Sequence, residues 1–152
     1  MKRFYRYFFL LLTLSGAMFT LRAQENTGAE LTDDLQIDIK GTVWDAKSDT
    51  LTVDLFLISY QRQPREFKLN TYASQVIDSQ GKATMYSVMK MGRVVVRLAD
   101  RQNYIHYLLE EDTPVPLTIK IGNWGKRKAA KVLLVFEDSA EEGHFIQKEV
   151  NL

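Results

Sequence analysis

The chain has 152 residues, of which 20 are basic and 19 acidic, and it contains no cysteine. This length suits a single domain with one hydrophobic core. The lack of cysteine excludes disulfides, thiolate metal sites and cysteine nucleophiles, and it also excludes the cysteine-linked lipid anchor of bacterial lipoproteins.

Residues 1–23 have the three regions of a secretory signal peptide. Lys2, Arg3 and Arg6 give a positive start, an apolar run follows, and the small residue Ala23 precedes the predicted cleavage site. The apolar run is about 15 residues, shorter than the roughly 20 that a membrane-spanning helix needs. We therefore expect an exported protein, periplasmic or at the cell surface or secreted, with no stable membrane span after cleavage.

Cleavage also changes the charge of the chain. The leader holds four basic and no acidic residues, so 16 basic and 19 acidic residues remain and the net charge becomes −3. An acidic exported domain has little electrostatic attraction for a phosphate backbone, and we expect no nucleic-acid partner.

The rest of the chain has the two-residue period of β-strands. Residues 24–34 are polar and predict a flexible N-terminal segment, and residues 35–152 predict one β-sandwich domain. The main predicted strands, in chain order, are 35–44, 49–60, 74–78, 82–88, 93–98, 104–109, 117–121, 129–136 and 145–152.

The segment 49–60 is the predicted central strand. Leu51, Val53, Leu55 and Leu57 occupy alternate positions, so their side chains share one face and are expected in the core. Two other segments, 94–96 and 129–136, have consecutive apolar residues, which predicts strands covered on both faces. About eight short strands separated by turns, without a helical period, indicate an all-β fold of two antiparallel sheets packed as a sandwich.

The order of these segments resembles a family of small secreted immunoglobulin-like domains from Gram-negative gut bacteria, a family with no assigned function. The resemblance covers roughly residues 33–152. It rests on two structural motifs, an Asp-x-x-Gly turn at 78–81 and the strand Pro-Val-Pro-Leu-Thr-Ile-Lys-Ile at 114–121. It implies an immunoglobulin-like sandwich and export, and no functional residue carries over.

Two groups of residues are candidates for a contact surface. Phe56, Ile58 and Tyr60 lie on the face of the central strand opposite the core residues, where they form either a second buried layer or an exposed patch for protein or sugar. The second group, Lys126, Arg127 and Lys128, is either a solvated turn or a site for an anionic partner such as lipopolysaccharide or an acidic glycan.

Other chemistry has weak support in the sequence. His106 and His144 are expected at the surface, and the carboxylates of four aspartates are expected to be solvated in turns rather than gathered around calcium. These aspartates are Asp45, Asp49, Asp54 and Asp78.

Ser79 and Ser87 each precede a lysine by three residues, but neither is predicted at the start of a helix, as that acyl-transfer motif requires. Thr50 and Ser139 each follow an aspartate, as in a short O-glycosylation signal of some gut bacteria, and their glycosylation is a hypothesis.

These observations predict an exported, non-enzymatic binding or scaffolding domain of the bacterial cell envelope, without a cofactor or metal. Its expected partner is a cell-envelope protein or a glycan. The alternative is a carbohydrate-binding accessory module that works beside a separate enzyme, which exposed coplanar aromatic side chains would favour.

Overall fold

A computed structural model describes residues 31–152. The predicted signal peptide, residues 1–23, and residues 24–30 of the predicted N-terminal segment lie outside the described residues. Within the described range the chain forms eleven β-strands and one short 3-10 turn, Leu98–Asp100. The strands are β1 Leu35–Asp45, β2 Thr50–Ser59, β3 Arg65–Asn70, β4 Gln75–Asp78, β5 Ala83–Thr84, β6 Val88–Met91, β7 Val94–Arg97, β8 Tyr104–Leu109, β9 Val115–Gly122, β10 Ala129–Glu137 and β11 Phe145–Asn151.

The strands form two antiparallel sheets. The first sheet has the order β1-β2-β9-β6-β7. The second has the order β5-β4-β10-β3-β8, in which β4 and β3 pair with successive parts of β10. The sixth strand of this sheet, β11, also pairs with β10. The predicted all-β sandwich of two antiparallel sheets is therefore confirmed, with eleven strands rather than about eight. The additional strands are short, such as the two-residue β5.

One hydrophobic core lies between the sheets. Leu51, Val53, Leu55 and Leu57 of β2 are all buried, as predicted, and they pack in one cluster with residues of the second sheet such as Phe136. A strand buries every second side chain when one of its faces lies on a core, so the alternation in β2 reflects a solvated outer face and a buried inner face. β2 is central because it pairs with β1 on one side and β9 on the other.

The prediction that the valines at 94–96 are covered on both faces is wrong. Val96 is buried, but Val95 is 44% exposed. β7 is the edge strand of the first sheet and pairs only with β6, and its outer face has no second layer above it in residues 31–152. The same prediction agrees with the structure at Val135 of β10, which lies on the outer face and is buried. Leu134 and Phe136, its neighbours in the sequence, are buried on the inner face.

The connections between strands gather at two ends of the sandwich. At the Trp124 end lie the β1–β2, β4–β5 and β9–β10 turns, joined by backbone hydrogen bonds from Trp124 to Asp49 (3.1 Å) and from Ser79 to Lys128 (2.9 Å). At the opposite, Asp33 end lie residues 33–34 and the β2–β3, β6–β7, β8–β9 and β10–β11 connections.

The Asp33 end includes the last part of the predicted N-terminal segment. Asp33 forms an ion pair of 2.8 Å with Arg65, and both side chains are largely buried. Asp33 also accepts a hydrogen bond from the backbone N–H of Ser139 at 3.1 Å. These contacts fix the start of the described chain against the first residue of β3 and the β10–β11 connection.

None of the helical segments in residues 31–152 is long and apolar enough to cross a membrane.

Candidate functional site

A polar groove opens at the Trp124 end, between the β4–β5 turn and the β9–β10 turn. It encloses about 480 Å³. The lining residues are Asp78, Ser79, Gln80, Lys126, Arg127 and Lys128. The groove therefore contains all three residues of the predicted basic group.

Asp78 fixes the wall that the β4–β5 turn contributes. Its carboxylate oxygen Oδ1 accepts hydrogen bonds from the backbone N–H groups of Gln80 and Lys82, both at 2.9 Å. The backbone N–H of Gly81 donates to the carbonyl of Asp78 at 2.9 Å, which closes the predicted Asp-x-x-Gly turn. Gly81 has a φ of 83°, a conformation that glycine adopts without the cost of a Cβ.

Arg127 forms the floor of the groove and is held by its neighbours. Its Nη1 lies 3.2 Å from Asp78 Oδ2 and 3.1 Å from Thr84 Oγ1, and its Nε donates to the carbonyl of Trp124 at 2.7 Å. The guanidinium carbon lies 4.0 Å from the centroid of the buried Trp124 ring. Arg127 is thus a structural residue whose charge is paired inside the fold.

The hydrogen bonds around Asp78 keep its carboxylate ionised. Donation from the Lys82 N–H is the main reason that the pKa of Asp78 lies below its ordinary value, and the Gln80 N–H and Arg127 act in the same direction. Burial opposes this shift but is outweighed. The floor is therefore an internally neutralised Asp–Arg pair, and its lone pairs and N–H groups are largely engaged.

The rim of the groove is different from its floor. Lys126 and Lys128 are exposed, and neither takes part in an ion pair within residues 31–152. Ser79 and Gln80, on the opposite rim, are also exposed and offer a hydroxyl and an amide. Two free cations facing neutral hydrogen-bonding groups suit a ligand that carries both anionic and hydroxyl groups.

The structure does not bring the second predicted group into this groove. Phe56 and Ile58 are half-buried on the outer face of the first sheet, and Tyr60 is 41% exposed beyond the end of β2. The Lys40 ammonium lies 5.3 Å from the Phe56 ring centroid, and the Tyr60 hydroxyl donates to Gln36 at 2.8 Å. These side chains form a partly covered stripe towards the Asp33 end, away from the groove.

The predicted surface histidines are confirmed. His106 and His144 are exposed, and their Nδ1 atoms lie 2.9 Å from Glu66 and 3.3 Å from Asp138 respectively. Donation from the Ala140 N–H is the main cause that lowers the pKa of Asp138 below its ordinary value. No three His, Asp or Glu side chains among residues 31–152 are grouped so that they could hold a metal ion.

The aspartates considered for calcium have separate partners. The carboxylate of Asp45 accepts from the Lys47 N–H and from Ser48, which lowers the pKa of Asp45, with the Lys47 N–H as the larger cause. Asp49 accepts from Trp44 and from the backbone of Gly125. Asp45 and Asp49 therefore stabilise turns. The prediction that all four aspartates are solvated in turns is wrong for the other two, because Asp78 is buried and Asp54 lies within β2, where it accepts a hydrogen bond from Thr118 at 2.6 Å.

The hydroxyls of the two hypothetical glycosylation sites also have partners. Thr50 donates to the carbonyl of Ser48 at 3.1 Å. Ser139 donates to Asp33 and accepts from the Gln61 amide at 2.7 Å.

A second cluster, on the outer face of the second sheet, was not predicted from the sequence. The Lys68 ammonium lies 4.9 Å from the Tyr104 ring centroid and 5.7 Å from that of Phe145. It also pairs with Glu137 at 3.2 Å, and the two rings are nearly parallel, with an angle of 19° and centroids 5.9 Å apart. Donation from the Gly143 N–H is the main cause of the lowered pKa of Glu137.

The sequence alone does not show this cluster, because its residues come together only through the order of the strands in the sheet. Tyr104 and Phe145 belong to β8 and β11, which are separated in the sheet by β3 and β10. The sequence places each residue on a strand, but the neighbours of that strand follow only from the sheet order.

Comparisons with protein-family models, with curated proteins and with solved structures found no match.

Proposed function

We propose that the protein is an exported, non-enzymatic binding or scaffolding domain of the bacterial cell envelope, and that the groove at the Trp124 end binds an anionic glycan. The observation that carries this proposal is the contrast within the groove, where an internally neutralised floor lies below a rim whose two lysines form no ion pair within residues 31–152. A fixed floor shapes the site, and mobile cations at the rim attract and retain acidic sugar groups.

The state of the titratable groups supports a binding role over catalysis. A general acid or base works best with a pKa near the working pH. The pKa of Asp78 is instead lowered by backbone donors, and its oxygens accept hydrogen bonds from the β4–β5 turn and from Arg127.

The proposal of export rests on the sequence of residues 1–23. Fractionation of the native host followed by N-terminal sequencing is expected to place the protein outside the cytoplasm with Gln24 as its first residue. Exported protein that begins at Met1 would contradict this proposal. We also propose that the chain belongs to the family of small secreted immunoglobulin-like domains that its segments resemble.

Binding in the groove is tested with an oligogalacturonide, which is an acidic oligosaccharide, and its methyl-esterified, neutral counterpart. Isothermal titration calorimetry is expected to show binding of the acidic form that weakens as salt is added, because the lysines are exposed. Replacing both rim lysines in the variant Lys126→Ala/Lys128→Ala is expected to weaken binding about tenfold, equivalent to about 1.4 kcal/mol.

The matched control is Lys40→Ala/Lys90→Ala, which removes the same charge from exposed positions on the first sheet. It is expected to leave the affinity almost unchanged. Equal losses in both double variants would show that only net charge matters, and equal affinity for the acidic and neutral oligosaccharides would contradict an anionic-glycan site.

The alternative function, a carbohydrate-binding accessory module, is supported by the nearly parallel rings of Tyr104 and Phe145, which are half-exposed. Sugar rings stack on such aromatic faces through their C–H groups, without a need for charge. This alternative predicts binding of neutral polysaccharides that is lost in Tyr104→Ala and insensitive to salt. Retention of polysaccharide binding in Tyr104→Ala would exclude this surface.

A further inference from the structure

The two ends of the sandwich carry opposite charge. At the Asp33 end, the connections between strands expose acidic side chains that form no ion pair within residues 31–152. These residues are Asp34, Glu110, Glu111, Asp112, Glu141 and Glu142. Within residues 31–152, the unpaired cations in the connections at this end are Arg62 and Arg93, two against six unpaired carboxylates, so the unpaired charge there is acidic.

The Trp124 end has the opposite pattern. Its turns expose Lys47, Lys82, Lys126 and Lys128, and none of these forms an ion pair within the described part of the chain. Among the aspartates described at this end, Asp78 is ion-paired with Arg127. Asp45 and Asp49 accept hydrogen bonds within the turns but form no ion pair in residues 31–152, so four unpaired lysines outnumber two unpaired carboxylates. The free charge at the Trp124 end is therefore positive.

The two charged ends are too far apart to neutralise each other. β2 runs between them with 10 residues, which corresponds to about 33 Å at the rise of a β-strand. Salt screens charges over about 8 Å at physiological ionic strength. Each end therefore presents its own charge to the solvent.

We infer that the protein associates head to tail with a second copy of itself, the acidic Asp33 end of one copy against the basic Trp124 end of the next. Charge complementarity between the two ends selects this occupant, because the same chain supplies both surfaces. An end-to-end contact of this kind is heterologous and leaves one free end of each type, so it extends into open chains rather than closing as a dimer. This inference goes beyond glycan binding and gives a physical form to the scaffolding role.

The first measurement is sedimentation velocity of the purified protein over a range of concentrations and salt. At low ionic strength, near 0.01 M, the screening length is about 30 Å and the average mass is expected to rise with concentration. At about 1 M salt the screening length is about 3 Å and the protein is expected to be monomeric. A monomer at every concentration in low salt would overturn the inference.

Charge reversal at one end tests the direction of the contact. The variant Glu111→Lys/Glu142→Lys alters one residue in each of two acidic connections, and Lys126→Glu/Lys128→Glu alters the basic rim. Each variant has lost one of the two complementary surfaces, so each alone is expected to be monomeric in low salt. Circular dichroism checks that both variants fold, since all four side chains are exposed.

The decisive result comes from mixing the two variants. The first retains a basic end and the second an acidic end, so the mixture is expected to form a one-to-one pair that stops at twice the mass of the monomer. A protein with all four substitutions has lost the charge difference between its ends and is expected to remain monomeric in low salt. Failure of the mixture to associate would refute head-to-tail contact, and association of either double variant alone, or of the fourfold variant, would show a different interface.

The same variants separate this inference from the proposed glycan site. Glu111→Lys/Glu142→Lys leaves the groove unchanged and, since no neighbouring copy competes for Lys126 and Lys128, is expected to bind the oligogalacturonide at least as tightly as the unmodified protein does. Loss of self-association with retained glycan binding would support both proposals. Self-association without any glycan binding would support the head-to-tail contact and reject the glycan site.

Discussion

The replacement Arg127→Ala tests whether the floor of the groove is structural. The side chain of Arg127 is 25% exposed, and its loss removes the donation to the Trp124 carbonyl at 2.7 Å and the contact with Thr84 at 3.1 Å. It also removes the stacking on Trp124. Hydrogen bonds of charged donors contribute about 1.5–3 kcal/mol and a cation–π contact about 0.5–1 kcal/mol, so we expect a loss of about 2–4 kcal/mol.

Urea denaturation followed by tryptophan fluorescence measures this loss, because Trp124 is buried in the folded protein. With a slope of about 2 kcal/mol per molar urea, within the usual range for small proteins, the midpoint is expected to fall by about 1–2 M. Lys126→Ala is the matched control, since that neighbour is exposed, and it should change stability by less than about 0.5 kcal/mol. A stable Arg127→Ala variant, equal to Lys126→Ala, would refute the assignment of Arg127 to the floor.

Three further predictions concern the core, a close backbone approach and the acid response. Leu55→Ala should cost about 2–5 kcal/mol in urea denaturation, because Leu55 is buried mid-strand and its truncation leaves a cavity; a cost below about 0.5 kcal/mol would place it outside the core. Gly92→Ala should destabilise by about 1–3 kcal/mol, since Gly92 has a φ of 54° and an added Cβ would lie 2.6 Å from ring carbons of Tyr107. In thermal melts, the cost of Gly92→Ala should be smaller when it is measured in a Tyr107→Ala background. An equal cost in both backgrounds would show that the backbone conformation alone is responsible. The pKa of Asp78 is lower in the folded protein, mainly because of the Lys82 N–H, so its contribution to stability is present above the unfolded value of about 3.9 and is lost as the pH falls through the folded value. Below about pH 4, the free energy of unfolding of Asp78→Asn should therefore fall less steeply than that of the unmodified protein. The same pH profile for both proteins would contradict the shift.

The strands of the core were predictable because one face of each strand is buried in the core and the other face is more exposed to solvent, so that apolar and polar residues alternate. In β2 the alternation from Leu51 to Leu57 is regular, and the structure buries each of the predicted side chains. The apolar pattern of β7 did not reveal that Val95 is exposed, because exposure depends on the position of the strand in its sheet. β7 is an edge strand, and the sequence does not specify which strands pair.

The basic group of the groove was only partly predictable. The spacing of Lys126, Arg127 and Lys128 showed three cations in one turn, but it gave them equal roles. The structure separates them, because Asp78 and Thr84 come from a distant turn and strand and hold Arg127 alone. The charge difference between the ends was hidden for the same reason, since the connections that meet at each end are far apart in the sequence.

The groove as a binding site is tested most directly by mapping backbone amide shifts in an NMR titration with the oligogalacturonide. The proposal predicts shifts concentrated at Ser79, Gln80, Lys126 and Lys128, with small changes at Phe56 on the outer face of the first sheet. Absence of shifts in the groove at a saturating concentration of ligand, or shifts confined to the aromatic pair on the second sheet, would contradict it.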